Sequence, residues 1–175
     1  MQELFSTANT LLEALPYIQR FSGATFVVKY GGSFMDSPDD AVRNGVARDV
    51  VFLEAVEINP VVVHGGGKRI SRAREKAGIK TRFVNGLRYT DADSVAVVDH
   101  VLSTEINAEI VDMINSLFGV AKGCSGTDIF SCTRHAPDGE DYGFVGEVTA
   151  VNTGPLEECI SLGITPVISP TARDA

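Results

Sequence analysis

The sequence predicts an α/β fold, a three-layer α/β/α sandwich built around a mainly parallel sheet. Three observations carry this. Apolar runs suited to strands, Thr25-Phe26-Val27-Val28 and Val61-Val62-Val63, alternate with longer segments of helical periodicity. Both runs leave directly into glycine, as Lys29-Tyr30-Gly31-Gly32 and His64-Gly65-Gly66-Gly67. No repeat, low-complexity tract or linker divides the 175 residues. In such sheets right-handed crossovers leave helices on both faces, and ligands bind at the carboxyl ends of the strands. Both glycine turns fall at that edge.

The elements follow in order. From Glu3 to Phe21, Leu4, Phe5, Leu11, Leu12, Leu15 and Ile18 recur at helical spacing, which predicts an amphipathic helix that Pro16 kinks or breaks. Ala24 to Lys29 reads as a buried strand. Ser37-Pro38-Asp39-Asp40 reads as a helix start, with Ser37 as N-cap and Pro38 at the first helical position, leading to a helix that runs to about Ile58. Pro60 to His64 is a second strand. Lys68 to Ala77 is helical and closed by Gly78. Asn85-Gly86, between Lys80 to Val84 and Leu87 to Thr90, predicts a hairpin with a type I′ turn, because both turn positions need positive φ. Asp91 to Phe118 is one long helix or two in succession. Ile129 to Thr133 and Phe144 to Val151 read as strands around Pro137-Asp138-Gly139. A short helix from Leu156 to Leu162 and a strand from Thr165 to Ser169 complete the pattern.

At 44% hydrophobic and 22% charged, the chain has the composition of a globular domain. Its longest apolar runs fall far short of the roughly 20 residues that cross a bilayer, so no membrane partner is expected. The first twenty residues mix acidic and polar side chains with apolar ones and do not read as a secretory or organelle-targeting signal. Cys124, Cys132 and Cys159 form no Cys-x-x-Cys pair, which suits a reducing, cytoplasmic compartment and suggests no metal site. A net charge of −8 argues against nucleic acid as a partner. One stretch opposes that balance: Lys68, Arg69, Arg72, Arg74, Lys76, Lys80, Arg82 and Arg88 face a single acid, Glu75. Such a run is either a solvated face or a local field for an anion.

The glycine turns are the candidate chemistry. In Lys29-Tyr30-Gly31-Gly32 the missing Cβ atoms allow backbone N–H groups close to an anion, with a lysine beside them; a plain tight turn is the competing reading. Gly65-Gly66-Gly67 lies between a strand and a helix N-terminus, where free N–H groups and the helix dipole favour a carboxylate or phosphate. It is neither a Walker A loop nor a dinucleotide fingerprint. His64-Gly65-Gly66-Gly67 also matches the oxyanion-hole motif of esterases. However, Gly123-Cys124-Ser125-Gly126-Thr127 misplaces the second glycine of a nucleophile elbow, which leaves hydrolase as a remote alternative. Arg88 offers a planar fork suited to a carboxylate.

Four motifs occur in order: Lys29-Tyr30-Gly31-Gly32, Val63-His64-Gly65-Gly66-Gly67, Asn85-Gly86-Leu87-Arg88-Tyr89-Thr90 and Gly143-Phe144-Val145-Gly146-Glu147-Val148. From about Phe26 to Pro170 the chain resembles acetylglutamate kinase, of the amino acid kinase family. The resemblance implies transfer of the γ-phosphoryl group of ATP, with Mg2+, to the side-chain carboxylate of N-acetyl-L-glutamate in arginine biosynthesis. It implies that Lys29 stabilises the transferring phosphoryl group and that Gly31 and Gly32 lie against the phosphate. Gly66 and Gly67 would hold the acceptor, Arg88 would clamp its α-carboxylate, and the Lys80 to Thr90 hairpin would form a lid. It also implies a homo-oligomer: a dimer through the central sheet, with residues 1–22 as an arm joining dimers into hexamers.

Two departures stand out. Where many members carry a lysine, this chain has Thr127, which lowers the local positive charge. Members also continue past Ile168-Ser169-Pro170 into a nucleotide-binding half that supplies an asparagine, an aspartate and a second lysine, none of which is found here. Residues 23–175 are therefore expected to be an amino-acid-binding domain, inefficient as a kinase alone. A non-catalytic sensor using the same pocket is the alternative.

Overall fold

The computed structural model describes residues 2–174, except for the side chains of residues 2–7, 33 and 138. Helix α1 (Gln2–Phe21) contains Pro16, so of the break or kink expected there the break does not occur. Leu11, Leu12, Leu15 and Tyr17 on it are exposed, while Phe21 meets Phe26 edge-on at 5.4 Å. Leu4 and Phe5, counted in the amphipathic pattern, have side chains outside the described residues.

Strands β1 (Thr25–Tyr30), β2 (Asn59–His64), β5 (Ala121–Cys124) and β8 (Thr165–Ile168) form a four-stranded sheet in the order β1-β2-β8-β5, with every pairing parallel. Apolar side chains alternate between its faces because the side-chain period of a strand is 2. Val28, Tyr30, Val62 and Val167 point to one face, against α3 (Asp40–Ala55), α4 (Gly67–Lys76) and α6 (Asn107–Ser116). Val61, Val63, Ile168 and Cys124 point to the other, against Ile129 and against Leu156 and Ile160 of α8 (Gly154–Ser161). Three layers result, as the sequence predicts. On β1 the second face is open, and Val27 is 72% exposed.

A short helix, α2 (Gly32–Met35), follows β1 directly. It displaces the start expected for the next helix: the Ser37 N–H donates to the Phe34 carbonyl and so belongs to the end of α2. The N-cap of α3 is Asp39, whose carboxylate accepts from the Ala41 N–H at 2.8 Å, and Ser37 Oγ accepts from the Asp39 N–H. The helix also ends at Ala55, short of Ile58. Strands β3 (Phe83–Val84) and β4 (Leu87–Arg88) form the expected hairpin, with Asn85 and Gly86 at φ 48° and 83°.

The long helical region is continuous but not uniform. Helix α5 (Ala92–Asp99), capped by Asp91, passes into a seven-residue π-helical segment (His100–Ile106) and then into α6. A π segment carries i to i+5 bonds and is uncommon outside functional regions. Leu102 and Ile106 of this segment are buried in the core. Beyond the unforeseen strand β5, Ser125 caps the turn α7 (Gly126–Ile129), so the next strand, β6 (Phe130–Arg134), begins one residue later than read. It pairs with β7 (Gly146–Val151) and β9 (Arg173–Asp174) in a separate small sheet.

Candidate functional site

Parallel register sets Tyr30 beside His64, so both glycine turns emerge together. The Gly65 N–H donates to the Tyr30 carbonyl at 3.0 Å and extends the pairing one residue past the strands. A Cβ on Gly65 would stand 3.9 Å from the Gly32 nitrogen, and one on Gly32 would stand 3.9 Å from the Gly67 nitrogen. The two turns therefore form one surface. Gly66 caps α4, and Gly67 opens it, facing empty space.

The glycine at 66 is a packing requirement. A Cβ there would fall 2.5 Å from Ile106 Cδ1 and 2.8 Å from Leu102 Cδ2, both in the π segment. The loop sits directly on those side chains, which hold it from beneath.

The structure brings Arg88 to this surface. Its Nη2 donates to the Gly67 carbonyl at 3.0 Å and to Ser71 Oγ at 2.9 Å, and its guanidinium lies over Phe83 at 4.9 Å. Its Nη1 is buried and has no partner among the described residues. A buried donor left unsatisfied costs about 1–3 kcal/mol, and more when it is charged, so the arrangement favours an incoming acceptor oxygen. Burial, and after it the charge of Arg74, holds the guanidinium below its usual range. Lys29 lies at the same strand end but on the opposite face from buried Tyr30; it is exposed, with no ion-pair partner among the described residues.

Neither reading of the basic run holds for all of it. Arg69 makes a two-pronged bond to Glu109 and also approaches Asp36 at 3.9 Å, while Arg72 lies 3.6 Å from Asp36. Arg69 holds the Glu109 carboxyl below the usual carboxylate range. Arg74 is buried, a position that no feature of the run signals.

Sequence reasoning also missed a buried polar pair beneath the second turn. Asn107 Nδ2 donates to the Val167 carbonyl at 2.8 Å and lies 3.3 Å from His64 Nε2. With Nε2 accepting, His64 carries its proton on Nδ1, which donates to the Gly65 carbonyl at 3.1 Å. Asn107 was detectable as a polar residue on the stripe of Ile106, Ile110 and Ile114. Gly123 makes room for it, since a Cβ there would lie 2.2 Å from Asn107 Oδ1.

Ser125 Oγ bonds to Thr127 Oγ1, and no histidine is hydrogen-bonded to it among the described residues. A cavity of about 550 Å³ opens between α5 and the small sheet, with Val63, Thr90, Leu102, Phe130 and Phe144 among its walls and Asp99 as its charged group.

A parallel sheet whose adjacent glycine turns meet a helix N-terminus and an arginine defines a class. The sequence profile described as Amino acid kinase family matches residues 24–175, and the chain belongs to that family. Within it, the chain is similar to curated acetylglutamate kinases. That of Caldanaerobacter subterraneus subsp. tengcongensis is 47% identical over 167 residues, covering 94% of this chain and 55% of the relative. That of Geotalea uraniireducens is 44% identical over 186 residues, covering 100% of this chain and 63% of the relative. The chain thus spans little more than half the length of these relatives. N-acetylglutamate synthase from Neisseria gonorrhoeae, solved with coenzyme A and N-acetyl-glutamate, superposes with a TM-score of 0.77 at 21% identity over 95% of this chain and 38% of that one. A Streptococcus mutans protein gives 0.75 at 21% identity over 87% of this chain and 60% of that one. These two share the fold.

Burial of His64 sets an expectation for stability. Desolvation pushes its pKa below the ordinary value of 6.5, against a smaller upward pull from the Gly65 carbonyl. The unfolded chain therefore binds a proton that the folded chain refuses, and stability is lost as pH falls below about 6.5, by up to about 1.4 kcal/mol per pH unit. Urea unfolding between pH 7 and pH 5 should show this loss, and His64→Gln should flatten it. An equal slope in both proteins would rule out His64 as its source.

Proposed function

We propose that this chain supplies the acceptor-binding half of an acetylglutamate kinase, which transfers the γ-phosphoryl group of ATP to the side-chain carboxylate of N-acetyl-L-glutamate in arginine biosynthesis. The observation that carries the reading is Arg88 Nη1, buried and unpartnered beside the open Gly67 at the head of α4. With the hairpin displaced enough to uncover that donor, the α-carboxylate of the acceptor receives it, and the N–H groups at Gly66 and Gly67 hold the rest of the molecule in place. The cavity lined by Thr90, Val63 and Leu102 has mainly apolar walls, which suit the acetyl group.

Phosphoryl transfer asks for position and charge stabilisation more than for covalent chemistry. The acceptor's side-chain carboxylate oxygen forms the new bond to phosphorus as the bond to the ADP oxygen breaks, giving an acyl phosphate. Gly31 and Gly32 lie against the phosphoryl group, and Lys29 neutralises charge on its oxygens. The Lys80 to Thr90 hairpin covers the acceptor and keeps water from the acyl phosphate. No three of His, Cys, Asp and Glu stand together among the described residues; magnesium, which keeps waters and binds largely through substrate phosphates, would come with the nucleotide.

Residues 1–22 are assigned to an oligomerisation arm, supported by the exposed Leu11, Leu12, Leu15 and Tyr17 of α1, and residues 23–175 to the acceptor domain of a cytoplasmic homo-oligomer. Removing residues 1–21 should lower the mass seen in sedimentation; an unchanged oligomer argues against the arm.

Titration calorimetry tests the acceptor site. Acetylglutamate should bind this chain with ATP giving no heat, and Arg88→Gln should weaken the affinity about 10- to 100-fold, the worth of a lost charged hydrogen bond or two. Binding of ATP without binding of acetylglutamate would refute the division of labour.

A further inference from the structure

Arg74 is the largest fully buried side chain among the described residues, 1% exposed. Its fork donates to two backbone carbonyls, Nη1 to Tyr89 at 3.0 Å and Nη2 to Lys80 at 2.9 Å. These carbonyls stand at the exit and the entrance of the hairpin, so one side chain ties both to α4. Arg88, from the hairpin, bonds back to Ser71 Oγ of the same helix. Ser71 and Arg74 are three residues apart and share a helix face. The two arginines thus fasten hairpin and helix to each other from opposite sides.

A buried guanidinium is costly without an anion. Neither arginine has a carboxylate within ion-pair distance among the described residues, although the Arg74 charge reaches Asp91, and each keeps one buried nitrogen unpartnered, Arg74 Nε and Arg88 Nη1. For packing alone, an apolar side chain of similar volume serves as well or better. The fork does what no apolar side chain can, supplying donors to both hairpin ends. A lysine can keep the charge, but its single ammonium lacks the planar spread that spans two carbonyls.

We propose that Arg74 is a positioning residue of the acceptor site: its fork closes the base of the hairpin so that Arg88 faces Gly67, and its buried charge adds to that of Arg88 in the seat for a carboxylate. The charge half of this inference rests on the acceptor reading of Gly66, Gly67 and Arg88; the anchoring half does not. The like charge of Arg74 disfavours the charged form of Arg88, a repulsion that a bound carboxylate relieves.

The test uses Arg74→Met and Arg74→Lys with two readouts. Amide hydrogen exchange reports anchoring: the Tyr89 N–H, which donates to the Arg82 carbonyl at 3.0 Å, should exchange at least about tenfold faster in R74M. Amides of β1 and β2 should be unchanged, and R74K should fall between. Acetylglutamate titration reports the charge: R74M should bind at least about tenfold more weakly, with R74K recovering part of the loss. Unchanged exchange at Tyr89 in R74M overturns the anchoring. Unchanged affinity in R74M, set against a wild type that binds, overturns the charge role. A wild type that binds no acetylglutamate overturns the acceptor reading and the charge role with it, while exchange still judges the anchoring. Should R74M lose the sheet's protection, R74K and the wild-type protein carry the test, since the Arg74 Nη protons must be protected from exchange in the native chain; rapid exchange there overturns the proposal.

Discussion

Parallel pairing of β1 with β2, ended by Tyr30 against His64, is the constraint on which the rest depends. The bond from the Gly65 N–H to the Tyr30 carbonyl carries that pairing into the first glycine and fixes both turns at one height. Since a strand's side-chain period is 2, a slip of one residue would send Tyr30 out of the core and Lys29 into it. It would also separate Gly32 from Gly65 and Gly67. The register is well specified because Tyr30 and Val62 are each about 1% exposed on the packed face, and a slip would expose them.

The helical layer completes the surface from below. The π-helical segment delivers Leu102 and Ile106 under Gly66 and leaves Asn107 beside His64, so packing and a polar pair act on the same loop. Above it, the hairpin is held on two sides. Arg74 ties it to α4, while the Phe144 N–H donates to the Thr90 carbonyl at 2.7 Å, and Asn85 Nδ2 to Tyr142 Oη at 3.0 Å. Gly143 permits the second tether, because a Cβ there would lie 2.1 Å from the Thr90 oxygen. Of the buried polar residues, His64, Asn107, Arg74 and Thr90 stand beneath the glycine turns or against the hairpin.

What was legible in the sequence was local. Asn85-Gly86 demands positive φ at both positions and so announces its turn; Val61-Val62-Val63 announces a buried strand; three glycines announce the tight passage from that strand into a helix. What was not legible needs three dimensions. Ala121-Lys122-Gly123-Cys124 lacks the β-branched residues of a strand and becomes one through its partner β8. The cap of α3 moved to Asp39 because a four-residue helix, invisible to periodicity, came first. Pro16 did not end α1, and nothing in the helical spacing from Asp91 onward marks where the π segment begins. Arg74 is indistinguishable from its basic neighbours until the hairpin folds over it. Of the candidate site residues, Gly31, Gly32, Gly66, Gly67 and Arg88 meet on one surface, whereas Lys29 shares their strand end from the sheet's other face.

Two kinds of positive potential meet at that surface: helix and loop N–H groups at the glycines, and guanidinium charge from the hairpin. Neither depends on the overall charge of −8, because the field is local and set by burial. The proposed acceptor, a dicarboxylic amino acid, is held beside the bonded pair of Arg88 and Gly67, by the N–H groups at Gly66 and Gly67 and by the Arg88 guanidinium. The most direct measurement is an amide and guanidinium NMR spectrum of the chain as acetylglutamate is added. Shifts concentrated at Gly65 to Lys68 and at the Arg88 side chain, with Gly31 and Gly32 responding to phosphate in a second addition, are the predicted result. Shifts confined to other parts of the fold, with the glycine turns and Arg88 unmoved, would contradict it.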